Sequence, residues 1–86
     1  MDNFIGQIIT TGYTFAQRGY ALCEGQIMDI SSNSALFSLL GTTYGGDGRT
    51  NFAIPDLRMD MNGNKHWHPG TPVYQICLNG VFPSRT

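Results

Sequence analysis

Two histidines flank the only tryptophan of this 86-residue chain, as His66-Trp67-His68. In an extended segment, residues two apart face the same side, so His66 and His68 are candidates to reach one transition-metal ion. Two imidazoles supply half of a tetrahedral shell, and no cysteine or carboxylate nearby in sequence completes it. The bland alternative is an exposed loop with two histidines around an aromatic. Glu24, Asp29, Asp47 and Asp56 are the acids nearest the patterned part of the chain. Their spacing gives no sign of the convergent pair that acid–base hydrolysis requires. Asp56, between Pro55 and Leu57-Arg58, reads as a turn acceptor of backbone hydrogen bonds, with Arg58 as partner to it or to Asp47. Serines are present without a Gly-x-Ser-x-Gly elbow. Cys23 and Cys77 fit neither a zinc spacing nor a Cys-x-x-Cys motif; they read as small buried hydrophobes, with a disulfide left open. No enzyme is expected from this inventory.

The glycine cluster Tyr44-Gly45-Gly46-Asp47-Gly48-Arg49-Thr50 is the remaining candidate. A phosphate-cradling loop would precede a helix and carry Gly-Lys-Ser/Thr. Here the glycines follow the helical stretch, so the reading is a structural turn with positive φ. Trp67 and Tyr44 are candidates to present an aromatic face to a partner.

Elements that position these residues follow from local patterning. Ile5, Ile8 and Ile9 predict a first strand over residues 4–10, broken by Thr11-Gly12. Tyr13 and Phe15, in the loop 13–19, are expected to cap the core. Residues 20–23 and 27–30 read as a β-hairpin around Gly25, with Tyr20 in the core. Ser31, Ser32, Asn33 and Ser34 are helix-capping types, and Ala35, Leu36, Leu39 and Leu40 have helical spacing. A short helix over 33–40 is therefore expected, with Gly41 ending it. Phe52, Ile54 and Leu57 then lead through Pro55, which forbids a central strand and suggests an edge or a rigid exit. The polar stretch 62–70 reads as a surface loop.

Length allows one small domain, whose core is marginal alone and which oligomerisation would help. Net charge is −1, with five Lys+Arg and six Asp+Glu. That gives no basic face for nucleic acid, and apolar runs are too short to span a membrane. MDNFIGQII has no basic, cleavable leader, so no signal peptide is expected.

Residues 35–58, ALFSLLGTTYGGDGRTNFAIPDLR, resemble the signature of the phage tail collar domain, in the form carried by microcystin-dependent proteins. Asn51 and Ile54 are conservative departures. Phe4-Ile5-Gly6-Gln7-Ile8 and residues 18–26, RGYALCEGQ, match as well, with Tyr20 and Glu24 where relatives more often carry Trp and Asp. After Arg58 the pattern breaks, and the long glycine-rich middle of relatives is missing. It returns in YQICLNGVFPSR, residues 74–85, which is similar to the family's closing strand. The resemblance implies a mainly β (α+β) fold in a single domain over 1–86: a collar motif at 1–58, a shortened insert loop at 59–72 and a closing segment at 73–86. Its strand 73–78 is expected to pair with an N-terminal strand. Gly41, Gly45, Gly46, Gly48, Pro55, Asp56 and Arg58 are the structural motif positions. The implied function is a structural or adhesive component of a phage or phage-like tail fibre, in the virion tail or extracellular after release. Implied partners are further copies or other tail proteins, and a cell-surface glycan or receptor. The alternatives are a soluble bacterial protein of the microcystin-dependent type, acting in stress or toxin response and cytoplasmic in that case, and a small metal-binding protein using His66 and His68. Related tail fibres hold metal on a trimer axis through His-x-His pairs; this chain has the pair, with Asn64 where their glycine stands.

Overall fold

The computed structural model describes residues 3–68 and 70–84. It is mainly β with one short helix, as the resemblance implies. The order is β1 (Ile8–Thr11), β2 (Tyr20–Leu22), β3 (Ile27–Asp29), α1 (Ser34–Leu40), β4 (Asn51–Ala53), β5 (Met59–Met61), β6 (Asn64–His66) and β7 (Val73–Cys77). Three small antiparallel sheets result: β1-β7-β2, β3-β4 and β5-β6.

The closing strand is the centre of the largest sheet. Val-Tyr-Gln-Ile-Cys is rich in β-branched and aromatic types, and four of these five residues are buried. A strand covered on both faces reads as a continuous apolar run rather than an alternating one. β7 pairs with β1 in the register Ile8↔Ile76 to Thr11↔Val73, and with β2 from Tyr20↔Cys77 to Leu22↔Gln75. The expected pairing of this strand with an N-terminal strand is therefore present, and it ends at Cys77. Residues 85 and 86 of the closing segment, like residues 1 and 2 of the collar motif, lie outside the described residues.

The first strand is shorter than expected. Gly6 has φ +85°, and its N–H donates to the Cys77 carbonyl, so extended pairing with β7 begins beyond it. Phe4 forms a separate bridge with Val81.

The expected hairpin of residues 20–30 does not form. β2 pairs with β7, while β3 pairs with β4 from Ile27↔Ala53 to Asp29↔Asn51. Gly25 carries the chain between sheets: its N–H donates to the Pro55 carbonyl, and Glu24 bridges Asp56. Local turn signals do not register a long-range partner, and β7 offers β2 a more deeply buried edge than β3 would. β4 stops two residues before buried Pro55, consistent with the missing N–H.

α1 forms from the leucine spacing but without the expected side-chain cap. Asn33 Nδ2 donates to the Asp29 carbonyl instead, and the Ser31 and Ser32 hydroxyls donate to the Asp29 carboxylate. Leu36 is fully buried, whereas Leu39 is 36 % exposed. Gly41 ends the helix at φ 57°, ψ −143°, with its N–H on the Phe37 carbonyl.

Cys23, Leu36, Phe52, Ile54 and Ile76 form the buried core, with Met28, Phe37, Trp67 and Tyr74 packed around it. The core thus lies where α1, the three-stranded sheet and the β3-β4 sheet meet.

Residues 59–66 of the expected insert loop form regular structure. β5 and β6 form a hairpin in the register Met59↔His66 to Met61↔Asn64. Its turn is Asn62-Gly63, at φ 57° and 82°, the two left-handed residues of a primed turn. Among the described residues, no helix is long and apolar enough to cross a membrane.

Candidate functional site

The glycine cluster is a turn folded back on β4. Ala53 N–H donates to the Gly45 carbonyl, and Gly48 N–H to the Asn51 carbonyl. Asp47 organises the turn: Oδ1 accepts the backbone N–H of Arg49, Thr50 and Asn51 at 2.8, 3.0 and 3.1 Å. These bonds favour the ionised carboxylate and hold its pKa down at about 2. Gly46 is the tightest point. It has φ +96°, and a Cβ there would lie 2.3 Å from the Phe52 Cα. Gly41, Gly45 and Gly48 also have positive φ. Tyr44, at the rim, is 49 % exposed.

Asp56 and Arg58 join the collar segment to the hairpin. Arg58 Nε and Nη2 donate to Asp56 Oδ1 and Oδ2 at 3.1 and 2.9 Å, and Arg58 Nη2 also reaches the Glu24 carbonyl at 3.1 Å. Asp56 Oδ1 further accepts the Arg58 backbone N–H. The guanidinium hydrogen bonds hold the Asp56 carboxyl below its usual range, and Asp56 in turn raises Arg58. Lys65 of β6 stands 3.8 Å from Asp56 Oδ2. Asp47, the other partner considered for Arg58, is engaged by its own turn.

Trp67 is half-buried against the core rather than standing free in a polar loop. Its indole N–H donates to Glu24 Oε2 at 2.8 Å, and its ring tilts on Tyr74 at 6.4 Å. The His66 and His68 rings stack with centroids 6.1 Å apart. Among the described residues no group of three or more His, Cys, Asp or Glu gathers to hold an ion. The described residues of one chain therefore bring only the two imidazoles together, and further ligands would have to come from elsewhere to fill a metal shell.

Cys23 and Cys77 are both buried and free. Cys23 N–H bonds to the Tyr74 carbonyl, and Cys77 lies opposite Tyr20. The two positions are thus three residues apart along β7, about 10 Å, beyond disulfide reach. Burial, with the Asp56 charge adding to it, pushes the Cys23 thiol up to about 11, which leaves it unreactive.

Tyr13 and Phe15 do not cap the core. They stack on one another at 4.5 Å and are 38 % and 64 % exposed. Their loop is held from below by Gln75, whose side-chain amide faces the loop backbone instead of solvent. Local sequence gave no signal for this, because Gln75 is 60 positions from Phe15.

A second feature missed in the sequence is an apolar patch. Phe4 bridges Val81; Phe82 follows, and lines a groove of about 490 Å3 with Leu39, Ser38 and Pro83. Phe4, Val81 and Phe82 are each about half exposed. Phe4 lies at one end of the sequence and Val81 and Phe82 at the other, so no local pattern marked them as one face.

No curated protein and no solved structure matches the chain. The family description of the phage tail collar domain matches residues 6–61, well over half of the 86 residues. That span holds the β1 to β5 elements, the glycine turn anchored by Asp47 and the Asp56–Arg58 pair: the chain belongs to the phage tail collar domain family.

Proposed function

We propose that this chain is a noncatalytic structural component of a phage-type tail fibre, self-associating through its apolar patch and contacting a cell surface. The family is one of phage tail parts, which carries a structural role, association with other tail proteins and a tail location.

The observation that carries the self-association is the patch formed by Phe4, Val81, Phe82 and Leu39. Contiguous exposed apolar surface on so small a domain marks an interaction site. The surface totals 5615 Å2, against about 5,050 Å2 for a typical folded monomer of this mass. Burying such a patch against a second copy supplies the apolar burial that the small core lacks.

Four of the six acids support a noncatalytic reading. Asp47 holds a turn, Asp29 holds two serine hydroxyls, Asp56 holds Arg58 and Glu24 holds Trp67. Each serves the fold.

Light scattering on the purified chain tests the self-association. The expected mass is a multiple of 9.5 kDa, falling to the monomer in Phe82→Ser. A wild-type chain that remains monomeric at every concentration tested refutes it.

A further inference from the structure

A depression opens between the N-terminal segment, the loop leading into β2 and the end of β7. Asn3, Gln17, Arg18, Tyr20, Asn79 and Gly80 line it, and it holds about 240 Å3, the liquid volume of roughly eight waters. Gly80 makes this close packing possible: a Cβ there would lie 2.2 Å from the Asn3 carbonyl oxygen. Its walls offer amide, phenol and guanidinium groups. The Tyr20 hydroxyl accepts from Asn3 Nδ2, which leaves the phenol proton for another acceptor. Arg18 is exposed and has no carboxylate or other hydrogen-bond partner among the described residues.

The exposed Tyr13–Phe15 stack is tied to this depression. The Tyr13 hydroxyl donates to Gln17 Oε1, and Gln17 is one of the lining residues. The same loop is fixed by Gln75, which is fully buried. Gln75 Oε1 accepts the Gln17 backbone N–H at 2.9 Å; Nε2 donates to the Phe15 carbonyl at 2.9 Å and to Thr11 Oγ1 at 3.1 Å. A buried amide that binds the exposed loop at Phe15 and Gln17 and anchors it to the end of β1 at Thr11 orders that loop before any ligand arrives, which lowers the entropy cost of binding.

We propose that the depression and the Tyr13–Phe15 pair form a binding site for an acidic sugar residue of a surface glycan. A guanidinium meets a carboxylate in two parallel hydrogen bonds, the task of Arg18. Side-chain amides offer a donor and an acceptor each, which suits adjacent sugar hydroxyls, the task of Gln17 and Asn79. The exposed rings receive the apolar C–H face of a neighbouring sugar. An acidic peptide would also satisfy Arg18, but it would leave the amides without vicinal hydroxyls to match. The site deepens the surface-contact part of the proposed function and rests on that reading. It is tested by ligand binding and not by assembly, so its failure leaves the self-association result standing.

The test is titration of the isotope-labelled chain with trigalacturonate, maltotriose and triglutamate, followed by magnetic resonance of the side-chain N–H signals of Gln17, Arg18 and Asn79. Trigalacturonate is expected to shift these signals, and maltotriose and triglutamate to shift them far less at equal concentration. Arg18→Gln removes an exposed side chain that no described residue engages, so folding is expected to be unaffected. It should weaken trigalacturonate binding about tenfold. Phe15→Ala should weaken it while keeping the preference for the charged sugar. Equal response to maltotriose, equal response to triglutamate, an Arg18→Gln chain that binds as the wild type does, or no shift with trigalacturonate would each overturn the proposal.

Discussion

The indole N–H of Trp67 donates to Glu24 Oε2 at 2.8 Å, across 43 positions of sequence. This bond ties the segment after β6 to the crossing point where the chain leaves β2 for β3. Trp67→Phe keeps the ring contact with Tyr74 and removes the donor. The expected loss is about 1 kcal/mol of folding stability, read from denaturant unfolding. Trp67→Ala also removes the packing and should cost about 3 kcal/mol. Equal, negligible losses in both variants would mean that the indole serves an external contact and not this tie.

Gly46 is expected to tolerate no side chain. Its φ of +96° disfavours any L residue, and a Cβ would overlap the Phe52 backbone. Gly46→Ala should lower stability by at least ~2 kcal/mol, with Gly46→Val worse. Gly63→Ala is the comparison: its φ is also positive, but open space surrounds it. It should be distinctly milder. Equal midpoints for the two alanine variants would contradict the close approach of Gly46 to β4.

Acid should loosen the glycine turn. The folded-state pKa of Asp47 is about 2, below the usual value of about 3.9. A carboxyl lowered on folding stabilises the folded state above its unfolded pKa, and that stabilisation is lost as pH falls towards the folded value. Asp29 and Asp56 are lowered too, with the same sign. The thermal midpoint is therefore expected to decline as pH drops from about 4 to about 2. Asp47→Asn should make that decline shallower. A wild-type midpoint that is level or rising over this window would contradict the role given to Asp47.

The histidine pair and the apolar patch make separable claims on assembly. If Phe4, Val81, Phe82 and Leu39 form the contact, His66→Ala/His68→Ala keeps the wild-type mass, and a chelator leaves that mass unchanged. Loss of the oligomer in the histidine variant, matched by a metal in the wild-type protein, would transfer the contact to His66 and His68.

Short-range features were legible in the sequence. The leucine spacing marked α1 and the glycines marked the turn, while the closing strand was legible through the likeness of residues 74–85 to the family's closing strand. Pairing at long range was not. β2 resembled half of a hairpin because Gly25 lies between two apolar runs, yet its partner is β7, more than 50 positions away. Asn62-Gly63 did carry a local hairpin signal, the dipeptide that two left-handed residues require. It was obscured by the shortness of the flanking strands, three residues each, of which the polar β6 is exposed throughout. Gln75 looked like any polar residue in a strand. Only the tertiary fold shows that its face is the inner one and that Thr11 at the end of β1, with Phe15 and Gln17 of the following loop, supplies its hydrogen bonds.

The central claim is that this chain is built into a tail. Gold-labelled antibody against the chain, applied to particles purified from a lysate of cells that express the gene in its native neighbourhood, tests it most directly by electron microscopy. Label confined to the tail or its fibres is the predicted result. Particles without label, with the chain recovered only from the soluble fraction, would contradict the account.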